Sequence, residues 1–406
     1  MKLAVLYLFT HMLYSGDYLQ VRSKYLNHDT GNCLLSIFDY GPVGFGESNQ
    51  LTGEGFQYPK GINQTLYYGS LACGNSETYV VDAYYEHQME DHDWLTVKPL
   101  GRHIPPEFGL QEYDCIYNDS GPTSPGPKGL ECYQYSVADA DTNCDDFVII
   151  EYIYTNKGPE AIDSLYSAIF MDFDINNYTD NYGKTDPSLR TAYMQPSLPD
   201  ENPTVGIVYL GSQPQSPLPV ANLSVIDHGI YVYPYQGLPD RIQWRFMNGT
   251  YSQSQSNRQY DWSIVVSVGP FNLAPGDSQH VTFAIVGGLS NYHYLENCRH
   301  AIEQYDTMWP GVAEGLPLEL NQGLRIGPNP TRGRLSVTFS LTQTAQITIS
   351  LFDPAGRMIA SLHNKKLSRG KHNLALSLPE WIPSGIYFLV LNTTEKNIAR
   401  KIVLRR

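Results

Sequence analysis

Short runs of β-branched and aromatic residues recur along the first 290 residues, and each is bounded by Gly, Pro, Asn or Asp. Runs of this length and composition are typical of β-strands, whereas a helical period is hard to find in this region. Two pairs of runs are joined by turn residues: residues 147–154 with 165–170 across 156–159, and residues 262–268 with 280–286 across 275–277. We predict a β-hairpin at each of the two positions.

One segment departs from this pattern, from about residue 292 to residue 308. Spacings of three and four separate its apolar residues Leu295, Cys298, Ile302 and Tyr305. This spacing is typical of one face of an amphipathic helix, and Pro310-Gly311 would end such a helix. We therefore predict a single helix that closes the β-rich part of the chain.

The last 83 residues alternate more regularly than the rest. Apolar and polar residues alternate at 335–341, 347–351 and 374–378. The alternation predicts strands with one buried and one exposed face. Turn residues stand between or beside these strands, namely Asp353-Pro354-Ala355-Gly356, Gly370 and Gly385. On pattern alone, this region is a small β-sandwich.

Charge separates the same region from the rest of the chain. Residues 324–406 carry 13 Lys and Arg against 3 Asp and Glu, a net charge of +10, whereas residues 1–323 carry 14 against 38, a net charge of −24. The change follows a linker-like stretch at 313–323. We therefore predict a β-rich domain at 17–312, a linker at 313–323 and a second domain, the tail, at 324–406.

Four ordered motifs mark the tail. They are an Asn-Pro with a following Gly at 329–333, an aromatic-Asp turn with Gly-Arg at 352–357, a Gly-Ile-Tyr-Phe strand at 385–388 and a basic strand at 400–405. With these motifs the tail resembles the type A C-terminal sorting domain of the Bacteroidetes-type (type IX) secretion system. The residues that carry the resemblance are Asn329, Pro330, Gly333, Asp353, Gly356, Arg357, Gly385, Tyr387 and Lys401.

The resemblance implies a destination for the protein. Sorting domains of this family are read by the outer-membrane export machinery and are commonly removed, and the cargo is released or attached at the cell surface. We therefore expect a protein that is secreted or held on the outside of the outer membrane, with the secretion machinery as the partner of its tail. A basic domain attached to an acidic cargo also presents a distinct surface to a receptor.

The N-terminus and the cysteines agree with export. Met1-Lys2 and the apolar run at 3–9 predict a signal peptide at residues 1–16; the alternative is a mis-assigned start or a first strand, because His11 interrupts the run. No apolar run approaches the ~18 residues of a transmembrane span. The six cysteines allow up to three disulfides, and the loop between Cys115 and Cys132 is one that a bridge could close.

Acidic and amide side chains alternate directly after the run at 165–170. Relative positions 1, 3, 5 and 9 are occupied by Asp172, Asp174, Asn176 and Asp180. Calcium takes about six to eight oxygen ligands, and a loop with this spacing can turn several of them inward. The loop is not an EF-hand, because positions 6 and 12 are Asn177 and Gly183. We predict calcium as its ligand, the alternative being a solvated, turn-forming loop.

Two other polar segments are weaker candidates for metal sites. Residues 139–145 repeat the alternation of acidic residues, but Cys144 lies among them and is a candidate for a disulfide instead. His87 and His92 are five residues apart, so they face opposite sides of a strand and share a helical face poorly. We therefore expect a polar loop around these histidines rather than a zinc site.

Tyrosine is abundant, with 31 residues in the chain. Aromatic residues cluster at 67–68, 84–85, 231–235 and 260–262, and flat rings of this kind are suited to stacking on sugars. The alternative is that tyrosine simply suits half-buried strands. Carboxylates are also numerous enough to supply a glycosidase pair about 5–9 Å apart, although the sequence places no such pair.

Charge and motifs limit the possible functions of the β-rich domain at 17–312, which we call the body. A net charge of −14 offers no electrostatic footprint for nucleic acid. The sequence holds no H-E-x-x-H, G-x-S-x-G or P-loop motif. We therefore favour a non-enzymatic module that binds a glycan or another surface component. The alternatives are a secreted polysaccharide hydrolase that uses paired carboxylates and a structural component of a surface layer.

The fold class follows from these patterns. Segments 66–71, 172–175 and 273–278 faintly resemble an uncharacterised β-rich region that precedes such sorting tails, a resemblance that brings no activity with it. We expect an all-β chain: a large β-sandwich body with one terminal helix, followed by a small Ig-like β-sandwich of seven strands.

Overall fold

The computed structural model describes most of the chain, in the ranges 25–61, 64–87, 89–197, 203–214, 217–308, 325–327, 331–341, 344–352, 357–368, 370–379, 381–392 and 397–405. The predicted signal peptide at 1–16 and the predicted linker at 313–323 lie outside the described residues. The chain divides into two compact units, Met1–Asn297 and Cys298–Arg406. The domain boundaries drawn from the sequence stay predictions.

The first unit is built from antiparallel strands, since short β-branched and aromatic runs alternate there with Gly, Pro and Asn turns. In chain order its strands are β1 (Tyr25–His28), β2 (Leu34–Phe38), β3 (Phe56–Gln57), β4 (Tyr68–Ser76), β5 (Tyr79–Asp82), β6 (Tyr85–Glu86), β7 (Met89–Glu90), β8 (Leu95–Arg102), β9 (Gln111–Asn118), β10 (Leu130–Ala138), β11 (Phe147–Asn156), β12 (Ile162–Asp172), β13 (Asn181–Asp186), β14 (Thr191–Pro196), β15 (Thr204–Gln213), β16 (Val220–Asp227), β17 (Trp262–Leu273) and β18 (Ser278–Gly288). Its helices are α1 (His228–Tyr231) and α2 (Asp240–Met247), and it also contains the first residues of α3 (Asn291–Met308), which the division between the two units crosses.

Two large sheets dominate this unit. One has eight strands in the order β13-β14-β15-β18-β11-β10-β9-β8, and the other has five in the order β16-β17-β12-β4-β5. Side chains from both sheets form one core, including Ile150, Tyr152, Ile169, Met171, Ile264 and Val266. The five-stranded sheet is buried on its other face as well, where Phe170 and Val265 belong to a second cluster with Ile242 and Phe246 of α2. Its central strands therefore have two apolar faces, which is why their sequences are continuous apolar runs.

Both predicted hairpins are wrong. β11 and β12 follow each other in the chain, yet β11 pairs with β10 and β18, whereas β12 pairs with β4 and β17. In the same way β17 pairs with β12 and β16, whereas β18 pairs with β11 and β15. Each turn carries the chain from one large sheet to the other. A turn signal marks a reversal of direction only, and the packing of strands with two apolar faces decides which neighbour each strand joins.

Helix α3 confirms the predicted helix at 292–308. Helix α2 has no counterpart among the predictions, because eight residues hold too few turns for a helical period to stand out. Its buried residues Ile242 and Phe246 cover the outer face of the five-stranded sheet. The first unit therefore has a helix beside its sandwich, in addition to the start of α3.

The six cysteines form no disulfide within the part of the chain that the structure describes, whereas the sequence allowed up to three. Cys115 lies opposite Gln134 and Cys132 lies opposite Tyr117 on the adjacent strands β9 and β10. The two thiols are therefore diagonal neighbours, for which the Cα atoms are about 7–8 Å apart. A disulfide needs a separation below about 7 Å. Both residues instead fill the core as small apolar side chains.

The second unit contains, among its described residues, the seven strands β19 (Arg325–Gly327), β20 (Arg334–Leu341), β21 (Ala345–Phe352), β22 (Met358–Leu367), β23 (Gly370–Ser377), β24 (Gly385–Asn392) and β25 (Asn397–Leu404). They form sheets in the orders β19-β20-β23 and β22-β21-β24-β25. Alternate residues such as Val337, Ile349 and Leu389 fill a separate core. The predicted all-β class is confirmed.

Candidate functional site

Polar residues gather at one end of the five-stranded sheet. Asp172 ends β12, Asp261 directly precedes β17, and His228 directly follows β16. Because these neighbouring strands are antiparallel, the end of β12, the start of β17 and the end of β16 meet at the same end of the sheet. One ligand atom from each of these three residues lies within 4.8 Å of the other two. Together with Asp174, we call these residues the carboxylate–histidine cluster.

Hydrogen bonds join the cluster into a chain. His228 Nδ1 lies 3.1 Å from Asp261 Oδ1, His228 Nε2 lies 2.5 Å from Ser263 Oγ, and the hydroxyl of Tyr233 donates to Asp261 Oδ2. Asp172 Oδ1 lies 3.6 Å from His228 Nε2 and has no hydrogen-bond partner among the described residues. Because Ser263 is fully buried, its oxygen is closed to a substrate, so this Ser–His–Asp chain positions groups rather than supplying a nucleophile.

Two carboxyls of the cluster, those of Asp172 and Asp174, retain protons more strongly than free carboxyls do. Burial raises the pKa of Asp172 well above its usual range, and the charges of Asp174 and Asp261 add to the effect. Burial, followed by the charge of Asp261, raises the pKa of Asp174 to about 7. Near neutral pH Asp174 therefore exchanges between its protonated and ionised forms, so its carboxyl can donate as well as accept hydrogen bonds.

Tyrosines that the sequence marks as candidates for sugar stacking surround this cluster. The backbone N–H of Tyr67 donates to the carbonyl oxygen of Asp172 at 2.7 Å, and the rings of Tyr67 and Tyr85 have centroids 6.3 Å apart. The ring of Tyr233 lies 6.4 Å from that of Tyr260. Tyr233 is 48% exposed, and the other three are half-buried. We call Tyr67, Tyr85, Tyr233 and Tyr260 the tyrosine rim.

The other predicted aromatic residues belong to the interior to different degrees. Tyr231 and Tyr235 are half-buried, whereas the fully or nearly fully buried ones are Tyr68, Tyr84 and Trp262. Part of the tyrosine excess is therefore explained by burial in strands, which was the alternative to sugar stacking. The remaining tyrosines are exposed enough for stacking.

Arg258 contacts residues on one side of the site. Its guanidinium donates to both carboxylate oxygens of Asp227, at 2.8 and 3.0 Å, and lies 4.3 Å from the centroid of the Tyr260 ring and 5.2 Å from that of Trp262. Asp227 in turn caps α1 by accepting from Gly229 N at 3.0 Å. Since α1 begins with His228, this ion pair helps to hold the histidine in place.

The structure separates the residues predicted to bind calcium. Asp172 is buried and Asp174 half-buried, whereas Asn176 and Asp180 are exposed. Asp180 accepts a hydrogen bond from Asn177 Nδ2 at 2.9 Å, within the turn itself. Asp172 instead groups with His228 and Asp261. Calcium binding by the whole loop stays a prediction.

The weaker metal candidates are not brought together. His87 and His92 are both exposed, and neither belongs to a group of three ligating side chains within the described residues. In the 139–145 segment, Cys144 donates its backbone N–H to the carbonyl oxygen of Asp141 at 2.6 Å, as in a turn. These segments are loops with local hydrogen bonds.

Two open cavities lie elsewhere. One of about 360 Å³ is lined by residues that include Tyr40, His92 and Trp94, and one of about 370 Å³ is lined by residues that include Asn222 and Ser254. Neither is lined by a member of the cluster or of the tyrosine rim. The exposed ring of Tyr233 and the half-buried rings of the other rim tyrosines make the candidate site a partly exposed face at the end of a sheet.

In the second unit the sorting motifs fall at turns and at the starts of strands. Gly333 has a φ of 106°, which favours glycine, and its carbonyl oxygen accepts from Leu378 N at 2.7 Å. Tyr387 is buried on β24, and its hydroxyl donates to Pro383 O at 2.9 Å. Gly385 begins β24, Arg357 is exposed just before β22, and Lys401 lies on β25. The other motif residues lie outside the described residues, namely Asn329, Pro330, Asp353 and Gly356.

Comparison with known proteins identifies the second unit. Residues 325–405 match the family model described as the secretion system C-terminal sorting domain. None of the curated proteins compared with the chain is detectably similar to it. A solved polysaccharide lyase aligns with 84% of the chain at 11% identity and a TM-score of 0.25; the chain spans only 39% of that protein. A likeness this low carries no argument about the body.

The match to residues 325–405 shows where the protein is transported. The protein is a cargo of a type IX secretion system, and it is secreted or held at the cell surface. The tail is the part that interacts with the secretion machinery. Among the described residues, no helix is both long and apolar enough to cross a bilayer.

Proposed function

We propose that this exported cargo binds a glycan at the tyrosine rim and the carboxylate–histidine cluster. The observation that carries the proposal is the arrangement of Tyr67, Tyr85, Tyr233 and Tyr260 around hydrogen-bonding carboxyls at one partly exposed face. Tyrosine rings offer flat apolar surfaces for the C–H faces of sugar rings, and a carboxylate accepts hydrogen bonds from sugar hydroxyls. Both requirements of a sugar site are therefore met at this face.

The charge of the site narrows the class of glycan. The cluster consists of three carboxyls and one histidine, and the region before the tail has a net charge of −24. A polysaccharide of uronic acids would bring further negative charge to a site whose carboxyls already repel one another. We therefore propose a neutral glycan as the ligand.

The first prediction concerns the exposed ring of the rim. Tyr233→Ala is expected to weaken binding of neutral polysaccharide by about 10- to 100-fold, because the most exposed aromatic ring of the tyrosine rim is lost. Tyr233→Phe keeps the ring and loses only the hydrogen bond to Asp261, so it should bind more nearly like the wild type. Affinity electrophoresis of the full chain in gels with neutral or uronate polysaccharides would measure both.

A matched control comes from α3. Tyr292 is 73% exposed and lies outside the rim, so Tyr292→Ala should leave binding unchanged. Equal losses in Tyr233→Ala and Tyr292→Ala would contradict the proposed site. Preference for the uronate polysaccharide would contradict the proposed class of ligand.

The raised pKa of Asp174 favours a second candidate, hydrolysis of the bound glycan. Glycosidases pair a protonated carboxyl with an ionised one, and Asp174 is suited to the protonated role because its pKa is raised to about 7 beside Asp261. Activity that uses Asp174 as the acid is expected to fall as the pH rises above about 7, since the protonated form is then lost.

Asp174→Asn separates binding from hydrolysis. If the body is a hydrolase, this variant should lose at least about 100-fold in the release of reducing ends, while it still binds the glycan. Reducing-end assays on each polysaccharide that the wild type retains, at pH 5, 7 and 9, would test this. Absence of release from every bound polysaccharide would exclude the hydrolase and leave the binding function standing.

A further inference from the structure

The four rings of the tyrosine rim form two corners rather than one flat platform. The planes of Tyr67 and Tyr85 meet at 68° with centroids 6.3 Å apart, and those of Tyr233 and Tyr260 meet at 76° with centroids 6.4 Å apart. Both are edge-to-face pairs, an arrangement that the charge distribution of aromatic rings favours. A single flat surface can therefore lie face to face with only one ring of each pair.

Contacts with the interior fix the first corner, which is formed by Tyr67 and Tyr85. Tyr85 stacks on the fully buried ring of Tyr84, with centroids 5.1 Å apart and planes 11° apart, and it meets the buried ring of Tyr68 edge to face. The backbone N–H of Tyr67 donates to the carbonyl oxygen of Asp172. Because Tyr84 covers one face of Tyr85, the Tyr85 ring cannot become coplanar with Tyr67 without leaving its stack.

Polar contacts fix the second corner, which is formed by Tyr233 and Tyr260. The guanidinium of Arg258 lies 4.3 Å from the centroid of the Tyr260 ring and donates to both carboxylate oxygens of Asp227. The hydroxyl of Tyr233 donates to Asp261, the residue that directly follows Tyr260. Arg258 therefore covers one face of Tyr260, and the hydrogen bond fixes the direction in which the Tyr233 ring points.

The two corners border the same site. His87 N donates to Tyr235 O at 3.1 Å, and Leu238 N donates to Tyr85 O at 2.8 Å. The segment that carries Tyr85 is therefore hydrogen-bonded to the segment that carries Tyr233. A glycan chain that contacts both corners meets rings in several orientations within one site.

We infer that the site takes a neutral glycan whose chain turns from one sugar to the next, and that it discriminates against flat, ribbon-shaped chains. The inference rests on the proposed glycan-binding function and names the class of linkage in the ligand. In a cellulose-type chain the glucose rings lie nearly in one plane, so the chain can stack on only one ring of each corner. Laminarin-type and amylose-type chains curve, so successive sugar faces point in different directions and can lie against both rings.

Three glucose hexasaccharides test the inference, because they have the same composition and differ only in linkage. Isothermal titration calorimetry of the full chain with laminarihexaose, maltohexaose and cellohexaose would give the three dissociation constants. We expect the tighter of the two curved hexasaccharides to bind at least about tenfold more tightly than cellohexaose, because the flat chain loses the stacking contact with one ring of each corner.

Tyr67→Ala removes one wall of the first corner. The preference for the curved hexasaccharide over cellohexaose should then fall at least about threefold, because a single ring is left there for either chain. Tyr67→Phe keeps the ring and should keep the wild-type preference. If Tyr67 had only a structural role, Tyr67→Ala would weaken all three hexasaccharides alike and leave the preference unchanged, which would overturn the inference.

The calorimetry separates failure of this inference from failure of the proposed function. Cellohexaose that binds as tightly as both curved hexasaccharides, or more tightly, would overturn the inference and leave glycan binding in place. Failure to bind either curved hexasaccharide would overturn it as well, and retention of another neutral polysaccharide in the electrophoresis gel would then show that the proposed function survives. A wild type that retains no neutral polysaccharide would overturn both.

Discussion

Deletion of residues 324–406 is expected to abolish export and leave the body folded inside the cell envelope. The tail has its own core, which includes Val337, Ile349 and Leu389, and the body has another. Residues 325–405 are the part that matches the sorting domain. Domains with separate hydrophobic cores can fold independently. Loss of the tail therefore removes the sorting signal and leaves the body stable. Immunoblots of periplasm, cell surface and medium in a type IX-secreting host would show the body in the periplasm only.

A substitution and a fusion serve as controls for this deletion. Trp381→Ala removes a side chain that is 69% exposed in the tail, and the full-length variant should be exported if the fold of the tail is what the machinery needs. Residues 324–406 fused to an unrelated periplasmic protein should direct that protein to the surface. Surface display of the deletion variant would show that the address lies elsewhere in the chain.

Trp262→Ala is expected to lower the free energy of unfolding of the body by about 3–5 kcal/mol. Trp262 is fully buried at the start of β17, in the core between the two large sheets. Its indole N–H donates to Arg258 O at 3.2 Å, and the Arg258 guanidinium lies over its ring. The substitution therefore leaves a cavity and also loosens the ion pair between Arg258 and Asp227 beside the candidate site.

Denaturant unfolding followed by far-ultraviolet circular dichroism would measure this loss. Trp381→Ala is again the matched control, because an exposed tryptophan should change the free energy of unfolding by less than about 0.5 kcal/mol. A loss below about 1 kcal/mol for Trp262→Ala would mean that the core closes over the vacancy. Weaker glycan binding by this variant is expected too, since Asp261 directly precedes Trp262.

The local pattern of apolar and polar residues predicted the strands and their pairing better in the tail than in the body. In the tail, strict alternation at 335–341 and 347–351 corresponds to β20 and β21, and β21 pairs with β22, the next strand along the chain. In the body the runs at 147–154 and 165–170 are strands as predicted, but they belong to different sheets. Strands such as β12 face apolar layers on both sides, so their residues carry no mark of which sheet they join.

The sequence identified some individual residues of the candidate site but not which of them lie together. Asp172 and Asp174 stand out as an acidic motif, and the tyrosine pairs stand out as repeats. His228 and Ser263 have no local signal, because each is a single polar residue at the edge of an apolar run. They meet Asp172 through strand pairing across about 60 to 90 residues of chain.

The sequence by itself determined the class of fold, the terminal helix and the destination. These depend on the period of apolar residues, on turn residues and on short motifs, all of which are local. Tertiary structure alone decided which strands share a sheet, that Cys115 and Cys132 remain unbridged, and which carboxyls meet. Those outcomes depend on contacts between distant segments, and such contacts arise only when two apolar faces pack and bring the strand ends together.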